Sequence, residues 1–108
     1  MFLDNYWYCA ALPHEVSASP LRRLICNEPI VFYRNSEKKL VALEDRCSHR
    51  QAPLSKGEVI GDNIQCMYHG FVFNGSGACV HIPHQDIIPG RAHIRAYPAE
   101  EKWGFIWI

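Results

Sequence analysis

The sequence predicts an all-β fold, in the form of a small antiparallel sandwich or barrel. Short runs rich in β-branched and aromatic residues alternate with Gly, Pro, Asn and Asp, which mark turns. No stretch shows sustained helical periodicity, and the sequence contains no repeat or low-complexity segment. The 108 residues suffice for one compact domain and are too few for two, so we expect a single domain over residues 1–108.

The first half of the chain is predicted to form four strands. These strands cover residues 5–10, 23–26, 30–34 and 40–43. A helical turn is predicted over 13–16, and residues 27–29, with the sequence Asn-Glu-Pro, carry a turn signal. Polar residues 35–38 connect the third strand to the fourth. Because both faces of the fourth strand are apolar, we expect it to lie in the centre of a sheet.

The second half is predicted to form two tight hairpins followed by two further strands. The predicted strands cover residues 58–60, 63–65, 71–73, 78–80, 93–97 and 104–108. Gly61 and Asp62 form the turn of the first hairpin, and residues 74–77, with the sequence Asn-Gly-Ser-Gly, form the turn of the second. Residues 82–92 contain two prolines and a glycine and are predicted to form an irregular loop.

Composition and charge narrow the partners and the compartment. Lys+Arg and Asp+Glu number 11 each, so the net charge is zero and neither nucleic acid nor a membrane is an expected partner. No apolar run approaches the roughly 18 residues of a spanning helix, and the start lacks the features of a signal peptide. Five cysteines in such a chain suit a reducing cytoplasm. Because the chain stops at Ile108 within an apolar run, we expect it to be the N-terminal piece of a longer protein.

Two cysteine–histidine pairs carry the chemistry of this sequence. Cys47-Ser-His49 and Cys66-Met-Tyr-His69 lie 16 residues apart, and each pair offers one thiolate and one imidazole from a single tight loop. Two such loops, spanning about residues 45–72, can close over a metal centre from opposite sides. Two Cys on one iron and two His on the other form the ligand set of a Rieske [2Fe–2S] centre. The alternative is a structural zinc ion, although zinc sites more often pair two cysteines in one loop.

Further stretches extend the resemblance beyond the ligand motif. They are Asn5-x-Trp7-Tyr8, the segment 29–34 (Pro-Ile-Val-Phe-Tyr-Arg), the segment 42–50 (Ala-Leu-Glu-Asp-Arg-Cys-Ser-His-Arg) and the segment 66–70 (Cys-Met-Tyr-His-Gly). With these motifs the chain resembles the N-terminal Rieske domain of Rieske non-haem iron oxygenases, in particular the vanillate O-demethylase oxygenase type. The loops lack the additional cysteine pair of respiratory Rieske proteins, so they are similar to those of Rieske ferredoxins and oxygenases.

The resemblance implies a cofactor, partners and a function. It implies one [2Fe–2S] cluster per chain, bound by Cys47, His49, Cys66 and His69, which relays electrons in an aromatic-compound O-demethylase or monooxygenase. The implied electron donor is an NAD(P)H-dependent flavin/iron–sulfur reductase or a ferredoxin. The implied acceptor is a mononuclear Fe(II), held by two histidines and a carboxylate in a C-terminal domain of a homotrimer. The alternative is a free-standing Rieske ferredoxin, an electron carrier without catalysis.

The remaining candidate residues are assigned to structure. An iron triad of His81, His84 and Asp86 is rejected because a proline interrupts it, so no catalytic residue is expected in this chain. Gly70 is expected to permit a turn that a Cβ would obstruct. Buried free thiols are expected at Cys9, Cys26 and Cys79. Core positions are expected for Trp7, Trp103 and Trp107.

Overall fold

The structure, a computed structural model that describes residues 7–47, 52–67, 70–83 and 92–108, contains eleven short strands within these residues. In chain order the strands are β1 (Cys9–Ala11), β2 (Leu21–Ile25), β3 (Glu28–Arg34), β4 (Leu40–Glu44), β5 (Glu58–Ile60), β6 (Asn63–Gln65), β7 (Val72–Phe73), β8 (Cys79–His81), β9 (Ala96–Tyr97), β10 (Glu100–Lys102) and β11 (Phe105–Trp107). Single 3-10 turns form at Pro13–Glu15 and Leu54–Lys56. The predicted all-β class is confirmed, and no helix in the described ranges could cross a membrane.

The strands form three antiparallel sheets, and two of these pack against opposite faces of the third, central sheet. The strand orders are β1-β11-β10, β2-β3-β4-β9 and β5-β6-β7-β8. Residues alternate along β3, so that Val31 and Tyr33 pack toward the β5–β8 sheet while Ile30 and Phe32 pack toward the β1-β11-β10 sheet. The prediction that residues 40–43 form a central strand is confirmed, since β4 pairs with β3 on one side and β9 on the other.

Polar contacts connect the central sheet to the β5–β8 sheet. The phenol of Tyr33, which is fully buried, donates to the backbone carbonyl of Asp62 at 3.0 Å. The carboxylate of Asp62 in turn accepts the backbone N–H of Ser36 at 3.0 Å and its hydroxyl at 2.5 Å. The β3–β4 turn and the β5–β6 turn are therefore joined at one end of the molecule.

Tyr33 should make the folded state less stable in alkaline solution. Burial, and secondarily the Asp62 carboxylate, raise the pKa of Tyr33 to about 12. Because an unfolded tyrosine titrates near pH 10, the stability contributed by the neutral phenol is present below pH ~10 and lost as the pH rises to ~12. A Tyr33→Phe variant should lose about 1 kcal/mol at neutral pH, yet its urea midpoint should fall less steeply between these pH values.

Tyr97→Phe is a companion variant for this measurement, because Tyr97 should contribute to the same alkaline decline. Burial and the Glu28 carboxylate, which accepts the Tyr97 hydroxyl at 2.6 Å, also raise the pKa of Tyr97 to about 12. Removing both phenols should flatten the alkaline decline more than removing either one alone. An unchanged slope in Tyr33→Phe would contradict the assignment to this residue.

The β2–β3 turn and two later strands differ from the prediction. The β2–β3 turn consists of Cys26 and Asn27, both with positive φ (53° and 68°), as a two-residue hairpin of mirror-image type requires. Pro29 lies inside β3 opposite Leu24, near the start of the strand, rather than in the turn. The strand predicted over 93–97 is limited to β9, and β10 was not predicted because its three polar residues are all exposed.

The predicted core positions of two tryptophans and two cysteines are wrong. Trp103, in the turn between β10 and β11, is 77% exposed, and Trp7, two residues before β1, is 51% exposed. The Trp103 ring lies edge-on to the half-buried Trp107 ring, with 6.3 Å between their centroids. Cys9 is exposed and Cys26 is half-buried, whereas Cys79 is buried as predicted. Trp7, Trp103 and Cys9 lie in or beside the β1-β11-β10 sheet, whereas Cys26 lies in the β2–β3 turn.

Candidate metal centre

The first candidate ligand follows the end of β4. Cys47 is 2% exposed and belongs to the core between the central sheet and the β5–β8 sheet. Its backbone N–H donates to the carbonyl of Ala52 at 2.8 Å, which closes a loop of residues 47–52. His49 is inside this closed loop in sequence but lies outside the described residues.

The second candidate ligand repeats this arrangement. Cys66 follows β6, is 1% exposed, and donates its backbone N–H to the carbonyl of Phe71 at 2.7 Å. In both loops the cysteine N–H thus bonds to the carbonyl five residues later, and in both a histidine lies between the two. His69, like His49, lies outside the described residues. Each of the two loops is therefore closed by an equivalent backbone hydrogen bond.

Both thiols belong to the same apolar core. Cys47 and Cys66 are members of one buried group that also includes Leu54, Ile64 and Phe73. A cofactor held there by thiolates would be shielded from water on the cysteine side. This environment is one of the factors that determine the potential of an iron–sulfur cluster.

Glycines allow the loop stems to approach each other. Gly70 has φ +77°, and a Cβ there would lie 3.0 Å from Cγ of Pro83, so the predicted need for glycine is confirmed. Gly57 was missed by the sequence analysis. A Cβ on Gly57 would lie 1.9 Å from the backbone oxygen of Gln65, the residue before Cys66. The stem leaving the first loop therefore touches the stem entering the second, with no room for a side chain.

Asp45 is a second residue that sequence analysis did not single out. It is the one buried charged side chain among the described residues, at 2% exposure. Its carboxylate accepts three short hydrogen bonds, from Arg22 and from the backbone and hydroxyl of Ser55. Its position two residues before Cys47 was the signal available in the sequence.

The third buried cysteine is chemically distinct from the two candidate ligands. Burial raises the pKa of the Cys79 thiol, and this thiol donates a hydrogen bond to the backbone carbonyl of His81 at 3.6 Å. Cys79 is therefore a neutral packing residue. His81 is exposed, while the other two residues of the rejected iron triad lie outside the described part of the chain.

Comparison with known proteins shows to which family this chain belongs. Residues 6–98 match the family described as the Rieske [2Fe-2S] domain. The chain belongs to the Rieske domain family. This membership resolves the choice between a cluster and zinc in favour of [2Fe–2S], and two buried cysteines in matching loops suit the thiolate half of such a cluster.

Relatives of this Rieske domain are oxygenase components. The iron-sulfur subunit of the toluene-4-sulfonate monooxygenase system of Comamonas testosteroni is 48% identical over 109 residues, covering 100% of this chain and 31% of that subunit. The dicamba O-demethylase oxygenase component of Stenotrophomonas maltophilia is 44% identical, covering 99% and 32%. A crystal structure of apo dicamba monooxygenase superposes with a TM-score of 0.94 at 44% identity, covering 98% of this chain and 33% of that one. The chain thus spans about a third of the length of these relatives.

A vanillate relative tests the subfamily resemblance. The vanillate O-demethylase oxygenase subunit of a Pseudomonas strain is 45% identical over 108 residues, covering 100% of this chain and 30% of that subunit. The resemblance to the vanillate O-demethylase type is therefore confirmed. Another dicamba monooxygenase structure contains non-heme iron together with dicamba.

Proposed function

We propose that this chain is the electron-transfer domain of an aromatic-compound Rieske oxygenase of the O-demethylase or monooxygenase type. The observation that carries the proposal is the pair of closed loops, each with a buried cysteine at its neck and a histidine inside. The proposed ligands are Cys47 and Cys66 on one iron and His49 and His69 on the other. When bound, the [2Fe–2S] cluster accepts one electron and passes it on.

The chain's own residues would hold and shield the cofactor. The cysteine thiolates carry the negative charge of the site from within the apolar core. The neutral imidazoles add none, and this raises the potential above that of all-cysteine ferredoxins. Backbone closure at Cys47–Ala52 and Cys66–Phe71 keeps the two members of each proposed ligand pair within one loop of the chain.

The proposed partners follow from the oxygenase assignment. An NAD(P)H-dependent flavin/iron–sulfur reductase or a ferredoxin supplies the electrons. The acceptor is a mononuclear iron in a C-terminal domain, and the full-length protein forms a homotrimer in the cytoplasm. The relatives described as components or subunits of oxygenase systems support the presence of a separate electron donor. They favour this function over a free-standing Rieske ferredoxin.

We expect the 108-residue chain to accept electrons but not to oxygenate a substrate. Purified protein should be red-brown, with about two irons and two sulfides per chain. Mixed anaerobically with NADH and a reductase from an O-demethylase system, it should bleach as the cluster is reduced. With O₂ and vanillate or dicamba added, no demethylated product should form, because no catalytic residue is proposed in this chain.

Several outcomes would count against the proposal. Colourless protein containing one zinc would remove the cluster, and product formed by this chain alone would place catalysis within it. The ferredoxin alternative is tested at the gene. A reading frame that continues past codon 108 into an iron-binding motif of two histidines and a carboxylate supports the oxygenase, whereas a stop codon there supports the ferredoxin.

A further inference from the structure

The hydrogen bonds of Asp45 satisfy its charge within the protein core. Its side chain has no exposed surface. Oδ2 accepts Nη1 of Arg22 at 2.7 Å and the hydroxyl of Ser55 at 2.6 Å, while Oδ1 accepts the backbone N–H of Ser55 at 2.7 Å. A buried carboxylate is costly unless it is paired and hydrogen-bonded. This one has three donors, so it can hold the groups around it firmly in place.

These contacts lie across the base of the first cluster loop. Asp45 precedes the loop and Ser55 follows it, in the 3-10 turn Leu54–Lys56. The loop therefore has an inner neck, where Cys47 N–H meets the Ala52 carbonyl, and an outer neck, where Asp45 meets Ser55. Both proposed ligands of this loop lie within the outer neck in sequence, Cys47 at the inner neck and His49 between Cys47 and Ala52.

The outer neck is also anchored to the central sheet. The backbone N–H of Asp45 donates to the carbonyl of Pro29 in β3 at 2.9 Å. The guanidinium of Arg22, which reaches the same carboxylate, belongs to β2. The outer neck is thus tied to β3 through the Asp45 backbone and to β2 through its carboxylate, and these contacts involve none of the proposed cluster ligands.

We propose that Asp45 is a positioning residue that holds the two ends of the first cluster loop together, with Ser55 and Arg22 as its anchors. The inference rests on the proposed function, because it takes Cys47 and His49 as ligands. Without the carboxylate contacts Asp45 and Ser55 are no longer bonded to each other, and the backbone bond of the inner neck is left to join the two sides of the loop. The cluster then sits in a looser frame and is lost faster.

A second aspartate in this chain supplies a matched control. Asp62 also accepts both the backbone N–H and the hydroxyl of one serine, Ser36. It joins the β3–β4 turn to the β5–β6 turn and closes neither cluster loop, and it is exposed where Asp45 is buried. Ser36→Ala therefore removes the same kind of hydroxyl hydrogen bond, and Asp62→Asn removes a carboxylate charge, without touching the necks.

The test compares cluster-loaded variants of the 108-residue chain. Asp45→Asn keeps the shape of the side chain but replaces an acceptor oxygen by an amide that cannot accept. Ser55→Ala removes only the hydroxyl, and Ser55→Thr restores it. The readouts are the rate at which the visible absorption decays in a ferrous chelator and the electron paramagnetic resonance spectrum of the dithionite-reduced cluster.

We expect Asp45→Asn to lose its cluster about tenfold faster than the unmodified chain and Ser55→Ala several-fold faster, in the range of outer-shell substitutions at metal sites. Both should show shifted or broadened g values, and Ser55→Thr should restore the unmodified spectrum. Asp62→Asn and Ser36→Ala should keep the unmodified spectrum and a decay rate within about twofold. Should Asp45→Asn fail to fold, Ser55→Ala and its threonine rescue decide alone.

Two results would overturn the inference. One is an unmodified decay rate and spectrum in Ser55→Ala or in a folded Asp45→Asn. The other is equal acceleration in the Asp62 controls, which would assign the effect to general stability. A failure of the proposed function is separately visible, since the unmodified chain would then hold no cluster at all.

Discussion

Serine in place of either Cys47 or Cys66 should leave the chain without its cluster. Iron–sulfur clusters are held by cysteine thiolates, and a serine hydroxyl is a much poorer ligand that must lose a far less acidic proton. We expect the purified variants to be nearly colourless, with iron and sulfide contents far below the value of about two each for the unmodified chain.

Cys79→Ser is the matched control for this loss. Cys79 lies in the same apolar core, but its thiol is protonated and donates to a carbonyl, a role that a serine hydroxyl can fill. This variant should keep its colour and its iron. The ligand assignment would fail if Cys79→Ser lost the cluster while Cys47→Ser retained it.

Alanine at Gly57 should destabilise the fold and weaken the retention of the cluster. The added Cβ would lie 1.9 Å from the Gln65 oxygen and 3.0 Å from its carbonyl carbon, and both atoms belong to backbone. Neither can rotate away, so the stems of the two cluster loops must separate. Overpacking of this kind costs about 1–3 kcal/mol of stability. Because Gln65 adjoins Cys66, we also expect slower cluster reconstitution and faster loss to a chelator.

Gly75→Ala is the corresponding control. It lies in the turn between β7 and β8, where an added Cβ would make an ordinary contact of 3.6 Å with Cγ2 of Val41. Its urea midpoint and cluster retention should match those of the unmodified chain. If Gly57→Ala behaved like this control, the close approach of the two stems would have no consequence for the site.

The sequence reveals the cysteine and histidine residues of the two loops, but not the residues that hold the ends of these loops in place. Cysteine and histidine at short, repeated spacing predict a metal centre because few other arrangements need those residue types together. The anchors give no comparable signal. Asp45 is separated from Ser55 by ten positions in sequence, and only the fold brings its carboxylate against that serine. The sequence does not reveal the importance of Gly57 either, since this importance depends on the backbone of Gln65 lying beside it.

The errors in the fold have the same physical origin. Trp7 and Trp103 were assigned to the core on side-chain type alone, but burial depends on whether another layer covers the strand. Strand β10 escaped prediction because Glu100, Glu101 and Lys102 are exposed on both faces, so no alternation of apolar and polar residues marks it. The β2–β3 turn moved to Cys26 and Asn27 because pairing between the strands decides the register.

By itself the sequence determined the all-β class, the position of both hairpins before and after Cys66, and the residue types that define the Rieske centre. These properties are local, because turn chemistry, strand alternation and ligand spacing act over a few residues. The tertiary structure alone decided that Cys47 and Cys66 share one dry core, and that Asp45 and Gly57 hold the stems of the two loops. Those contacts join residues distant in the chain, and only the packing of three sheets brings them within reach.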